Sequence, residues 1–160
     1  MTESCPLCDK LAHLRDLPAD DVVWQFPHSV ALLGPWQYHT GYCVLVSRSH
    51  YSELHQLPIA ERSAFLAEMV LLSQAIAVTF EPRKMNCELL GNQVPHLHWH
   101  LFPRRHDDPD TLKAVWLGFE RAEHDETEKQ RLQTAAIAPS EITRRLRGTL
   151  KEQNAPDFRA

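Results

Sequence analysis

Residues 96–102 read His96-Leu97-His98-Trp99-His100-Leu101-Phe102, three histidines at alternate positions with a large apolar residue in each gap. Alternate side chains of an extended chain project to one face. This spacing therefore puts three imidazoles on one face and Leu97, Trp99 and Leu101 on the buried one. Same-face neighbours on a strand lie roughly 6–7 Å apart, near enough to share one phosphate or one metal. A helix would scatter the rings around its axis. Imidazole titrates near neutrality and can be nucleophile, acid, base or ligand. One histidine on an apolar strand is usually packing, whereas three in strict alternation specify a strand carrying a polar site.

Cys5-Pro6-Leu7-Cys8 is a second set of reactive residues. A C-x-x-C pair supplies two of the four ligands of a structural zinc site, and by itself it reads equally as a free thiol pair open to redox chemistry. Cys43 and Cys87 fall on expected strands and read as packed thiols. His13, His28, His39, His55, His106 and His124 belong to no constellation and read as surface or packing residues.

Five strands are expected to position these groups. Val22–Phe26 and Ser29–Leu33 could pair as a hairpin, residues 34–41 form a Gly- and Pro-punctuated loop, and Tyr42–Ser47 is the third strand. From Pro58 to about Val78, apolar residues such as Phe65, Met69, Leu72 and Ile76 recur at helical spacing, which gives one long helix ended by Phe80-Glu81-Pro82. Lys84–Leu90 is the fourth strand, Gly91-Asn92-Gln93 a turn, and Pro95–Phe102 the fifth strand. Leu11–Leu17 reads as a short helix or turn. Residues 104–110 are polar, 120–133 and 140–152 read as charged helical segments, and the tail from Ala155 is expected to fray. The whole is a single α+β domain, residues 1–160, with a core over 20–105 and an extension over 106–160.

At 160 residues and 43% hydrophobic, the chain has material for one ordinary core. A net charge of −4 without a long basic run disfavours extended nucleic acid as a partner, although Pro103-Arg104-Arg105 could contact a local anion. Apolar stretches fall short of the ~20 residues of a membrane span. Met1-Thr2-Glu3-Ser4-Cys5 lacks a basic region followed by an apolar core, so no signal peptide is read and a cytoplasmic location is expected. There, cysteines are free or metal-bound.

Residues 96–102 match the His-φ-His-φ-His-φ-φ signature (φ apolar) of the histidine triad (HIT) superfamily at every position. Gly91-Asn92-Gln93-Val94 resembles the family's polar turn before that strand. Gly41–Val46 followed by Ser47-Arg48-Ser49-His50 resembles its earlier strand and terminal histidine. The resemblance covers about 20–105, C-x-x-C extends it to the N-terminus, and the chain looks most like bacterial dinucleoside-polyphosphate-hydrolase-like members.

The resemblance implies a HIT-like fold with about five antiparallel strands. It implies hydrolysis at a nucleotide α-phosphate, with His98 as nucleophile and His100 and His96 completing the catalytic set. Asn86, Asn92 and Gln93 would contact substrate, and Trp24, Phe26 and Leu32 could line a base slot. It further implies structural zinc on Cys5, Cys8, His50 and His96, with residues 1–19 as a zinc-knuckle segment, and a homodimer built through the long helix and a strand. Two positions depart from the pattern. Gly34 stands where family members often have a ribose-contacting Asp or Asn, and Tyr42 stands where many have a fourth histidine. Nucleotidyl transfer or phosphorolysis, a non-catalytic nucleotide sensor and a zinc-stabilised nucleic-acid module are the competing readings.

Overall fold

The computed structural model describes residues 5–158; the reading of Met1–Ser4 as free of a signal sequence lies outside them. The elements run α1 (Pro6–Ala12), β1 (Val22–Gln25), β2 (Ser29–Leu33), β3 (Cys43–Ser47), a 3-10 turn (Leu54–Gln56), α2 (Ile59–Phe80), β4 (Lys84–Glu88), β5 (His98–Arg104), α3 (Trp116–Ala122), α4 (Glu126–Gln133) and α5 (Pro139–Glu152). The strands form one antiparallel sheet in the order β1-β2-β3-β5-β4. The expected α+β architecture, five antiparallel strands with one long helix and a helical extension, is present, and the triad strand β5 lies between β3 and the edge strand β4.

Alternation sorts the sheet into two faces. Leu45 pairs with Trp99 and Cys43 with Leu101, and these residues pack under α2 and α5 in a core holding Phe65, Leu72, Ile76, Ile142, Leu146 and Leu150. By length and composition α2 could cross a membrane; here it is the core helix, with Phe65, Leu72, Ala75 and Ile76 buried. Its buried Glu68 is held by the Ser29 hydroxyl and the His28 N–H. The opposite face carries Val46 opposite His98 and Val44 opposite His100, with Glu88 facing His100 from β4. Leu7, Leu11 and Leu14 cover one half of that face, and α3 covers the other with Trp116 and Phe119.

Several boundaries differ from expectation by a residue or two, and the expected helical segment 120–133 is two helices, α3 and α4; three further differences have clear physical reasons. The first helix is Pro6–Ala12 rather than a segment beginning at Leu11, because proline at the first helical turn is preorganised for it. The fifth strand begins at His98 and runs on to Arg104. Before it the backbone leaves the ladder, with the Leu97 N–H bonded to Tyr51 O and the Leu97 carbonyl to Ser47 N–H. The tail does not fray where it is described. Phe158 N–H bonds Gln25 O, Trp24 Nε1 donates to Pro156 O, and Ala155 N–H bonds Leu150 O.

Candidate active site

His98 donates Nδ1–H to the His96 carbonyl at 2.6 Å, since a carbonyl can only accept. That fixes the tautomer and leaves the Nε2 lone pair free for nucleophilic attack. The His100 ring lies edge-on at 4.8 Å between centroids. Both rings line a cavity of about 440 Å³ whose other walls are Leu90, Gly91, Asn92, Gln93, Val94 and Trp116. A second cavity of about 290 Å³ shares His98, Leu90 and Gly91 and reaches His96 and Arg62. The wall common to both turns at Gly91, whose φ of 71° is a left-handed conformation suited to glycine.

The third histidine has another occupation. His96 is fully buried and donates Nε2–H to Ser47 O at 2.8 Å, so its Nδ1 lone pair faces a thiol cluster. Burial also pulls its pKa down, which keeps the ring neutral and able to ligate. Nδ1 lies 3.4 Å from Cys5 Sγ, 3.5 Å from Cys8 Sγ and 3.2 Å from His50 Nδ1, and His50 Nδ1 is 3.2 Å from Cys8 Sγ. All four ligand atoms fall within 4.8 Å of one another. The edges of a tetrahedral zinc site are about 3.3 Å between nitrogens and about 3.6 Å between nitrogen and sulfur. The donor set matches that shape, and electron-rich atoms so converged call for a cation between them.

His100 is enclosed by aromatics. Tyr42 OH is 2.8 Å from its Nδ1, and Trp116 packs edge-on at 5.0 Å. Burial, then the neighbouring His98, lowers the pKa of His100 to about 4, and burial drives that of the Tyr42 phenol upward. Tyr42 also explains Gly34: a Cβ on residue 34 would stand 2.2 Å from two atoms of the Tyr42 ring. Gly34 and Tyr42 are therefore sterically coupled, because the phenol occupies the volume that a side chain at residue 34 would need.

Among the expected substrate contacts, Asn92 and Gln93 reach the larger cavity and Asn86 does not. The Asn86 carboxamide oxygen accepts from Arg104 Nη1 at 3.1 Å. Arg104, 2% exposed, pairs with Asp108 at 2.7 Å and donates to the carbonyls of Asp110 and Lys113, which fastens the chain leading to α3. Trp24 and Phe26 sit in the main core and Leu32 under α1, so the expected base slot is packed protein. Sequence reasoning missed Trp116, whose indole N–H bonds the Glu88 carboxylate. The available signal was a pair of aromatics, Trp116 and Phe119, three apart in an otherwise charged extension.

Over residues 17–107 the chain matches the HIT domain. The protein belongs to the HIT family. A zinc-bound histidine triad family protein from Mycobacterium smegmatis has a similar fold, with 17% identity, a TM-score of 0.66, and 94% of this chain and 96% of that one covered. A histidine triad protein from Marinobacter aquaeolei is similar at 24% identity, TM-score 0.64, with 92% and 97% covered. A hypothetical histidine triad nucleotide-binding protein from Sulfolobus tokodaii is similar at 16% identity, TM-score 0.67, with 94% of each covered. No curated protein matches the chain. These HIT structures share the fold with nearly the whole chain, extension included.

Proposed function

We propose that this HIT protein is a nucleotide-binding hydrolase that cleaves at the α-phosphate of dinucleoside polyphosphates or related nucleotidyl substrates. The observation that carries the reading is the His98 tautomer, with Nδ1 committed to the His96 carbonyl and the ring in the wall of a roomy cavity. Nε2 attacks the α-phosphorus; a P–N bond forms and the bond to the bridging oxygen breaks, the oxygen keeping the electron pair. The ring becomes cationic, and the His96 carbonyl stabilises that charge through the Nδ1–H. Water then attacks phosphorus and loses a proton to solvent, the P–N bond breaks with its electron pair returning to Nε2, and a nucleoside monophosphate leaves. His100 and the amides of Asn92 and Gln93 would donate to phosphoryl oxygens. Cys5, Cys8, His50 and His96 would hold one structural zinc, which when bound clamps α1 to the triad strand and keeps the His96 carbonyl under His98.

Incubation with diadenosine tetraphosphate should release adenosine monophosphate. His98→Ala should cut turnover at least about 10³-fold with fold and zinc content intact. Turnover in that variant at the wild-type rate would overturn the assignment. Incorporation of added phosphate into product would mark the phosphorylase alternative. The Tyr42 and Gly34 departures favour a sensor as second reading, marked by nucleotide affinity without turnover. We further propose a cytoplasmic homodimer. Ile59, Val70 and Val78 of α2 are exposed apolar residues and β4 is an edge strand of the sheet, which supports this reading, and sedimentation should give twice the chain mass.

A further inference from the structure

We propose that Tyr42 locks His100 as a neutral Nε2–H donor, and that this lock makes the site selective for leaving groups that depart as anions over leaving amines that need a proton. The inference rests on the hydrolase reading above and narrows its substrate class to phosphoanhydrides rather than phosphoramidates.

The lock follows from the hydrogen-bond inventory. Tyr42 is 3% exposed, and its hydroxyl must place its proton on an acceptor. The acceptor at hand is His100 Nδ1 at 2.8 Å. With Nδ1 accepting, the imidazole proton resides on Nε2. The phenol cannot swing away, because Phe102 stacks on its ring at 4.0 Å and the Gly34 backbone lies against it. The other polar groups around His100 do not compete for Nδ1. His98 meets the ring edge-on from the same strand, its Nδ1 already committed to His96 O. The Glu88 carboxylate, opposite on β4, accepts from the Trp116 indole N–H and, as an acceptor only, has no proton to give Nδ1.

The consequence depends on the bond that breaks. In a phosphoanhydride the bridging oxygen keeps its electron pair and leaves as a stable polyphosphate anion. The His100 Nε2–H need only hydrogen-bond to it, and no proton moves. In a phosphoramidate the departing nitrogen must gain a proton as the P–N bond breaks. A neutral His100 could release Nε2–H only if Nδ1 took the Tyr42 proton, which leaves a buried phenolate; burial opposes that by raising the phenol pKa. The imidazolium, the better acid, is scarce near pH 7 because burial and His98 hold His100 at about 4.

Two measurements test this. Long-range ¹H–¹⁵N spectra of the zinc-loaded protein should place the His100 proton on Nε2, and in Tyr42→Phe, which keeps the ring stack, an Nδ1–H population should appear. A wild-type proton on Nδ1, or an unchanged tautomer in Tyr42→Phe, overturns the lock. Wild-type kcat/KM for diadenosine tetraphosphate should exceed that for adenosine 5′-phosphoramidate at least about 100-fold, the usual worth of a general acid. Tyr42→His should narrow that ratio at least tenfold, as an imidazole can relay a proton. Equal or reversed wild-type preference overturns the selectivity. Failure to turn over either substrate removes the hydrolase reading and the selectivity with it; the tautomer spectra then decide the lock by themselves.

Discussion

Replacing Gly34 by alanine adds one methyl group and tests whether Tyr42 fills the space beside it. The Gly34 backbone is outside the positive-φ region, so any cost comes from packing alone. The new carbon would stand 2.2 Å from Cδ1 and Cε1 of Tyr42 and 2.9 Å from Cγ. Unstrained carbons rest at about 3.5 Å or more, so the ring must retreat by about 1.3 Å. Phe102 blocks the retreat at 4.0 Å, and moving breaks the 2.8 Å bond to His100. Overpacking costs about 1–3 kcal/mol, and the lost hydrogen bond about 1 kcal/mol more. A total near 3 kcal/mol should lower Tm by roughly 6–12 °C in a chain of this length. Urea unfolding of the single variant, Tyr42→Ala and the double variant completes a cycle. The double variant should be more stable than additivity predicts by at least about 1.5 kcal/mol, since removing the ring removes the clash. A Gly34→Ala protein within about 0.5 kcal/mol of wild type, or strict additivity, refutes the argument.

Elemental analysis should find one zinc per chain, and Cys8→Ser should lower both occupancy and Tm; binding at about 1,000 times Kd contributes about 4 kcal/mol. A chelated protein that melts at the holo temperature would refute the ligand set. Acid sensitivity should also appear. Burial, the largest cause in each, holds His39 and His100 at about 4, whereas an unfolded imidazole titrates near 6.5. The unfolded chain therefore takes up protons first. Stability is full above about pH 6.5 and is lost as pH falls towards 4. Urea midpoints in excess chelator should drop across that window and drop less in His39→Gln; a flat profile would contradict the burial argument.

The strand pattern was legible because alternation is a backbone property: Val44, Val46, His98 and His100 share a face whatever surrounds them. The ligand set Cys5, Cys8, His50 and His96 follows from the family resemblance, and the fold brings its atoms together. What alternation could not show is where pairing stops. Leu97 bonds to Tyr51 and Ser47 outside the ladder, and His96 turns to the thiols while its carbonyl serves His98. Asn86 looked like a substrate contact because nothing local reveals that Arg104, eighteen residues on, takes its oxygen. The base slot was expected from apolar residues, and apolar character does not distinguish a cleft from a core. Trp24 and Phe26 are core.

The α5 helix carries a consequence for dissection of the molecule. The HIT match ends at residue 107, yet Ile142, Leu146 and Leu150 are fully buried beneath the sheet. A fragment trimmed to the recognisable motif would leave Phe65 and Ile76 facing water and would cut away the carbonyls that Arg104 grips. The stretch that matches the family and the stretch that packs into one core are thus different lengths of chain. Minimal versions of this protein must be designed from the second.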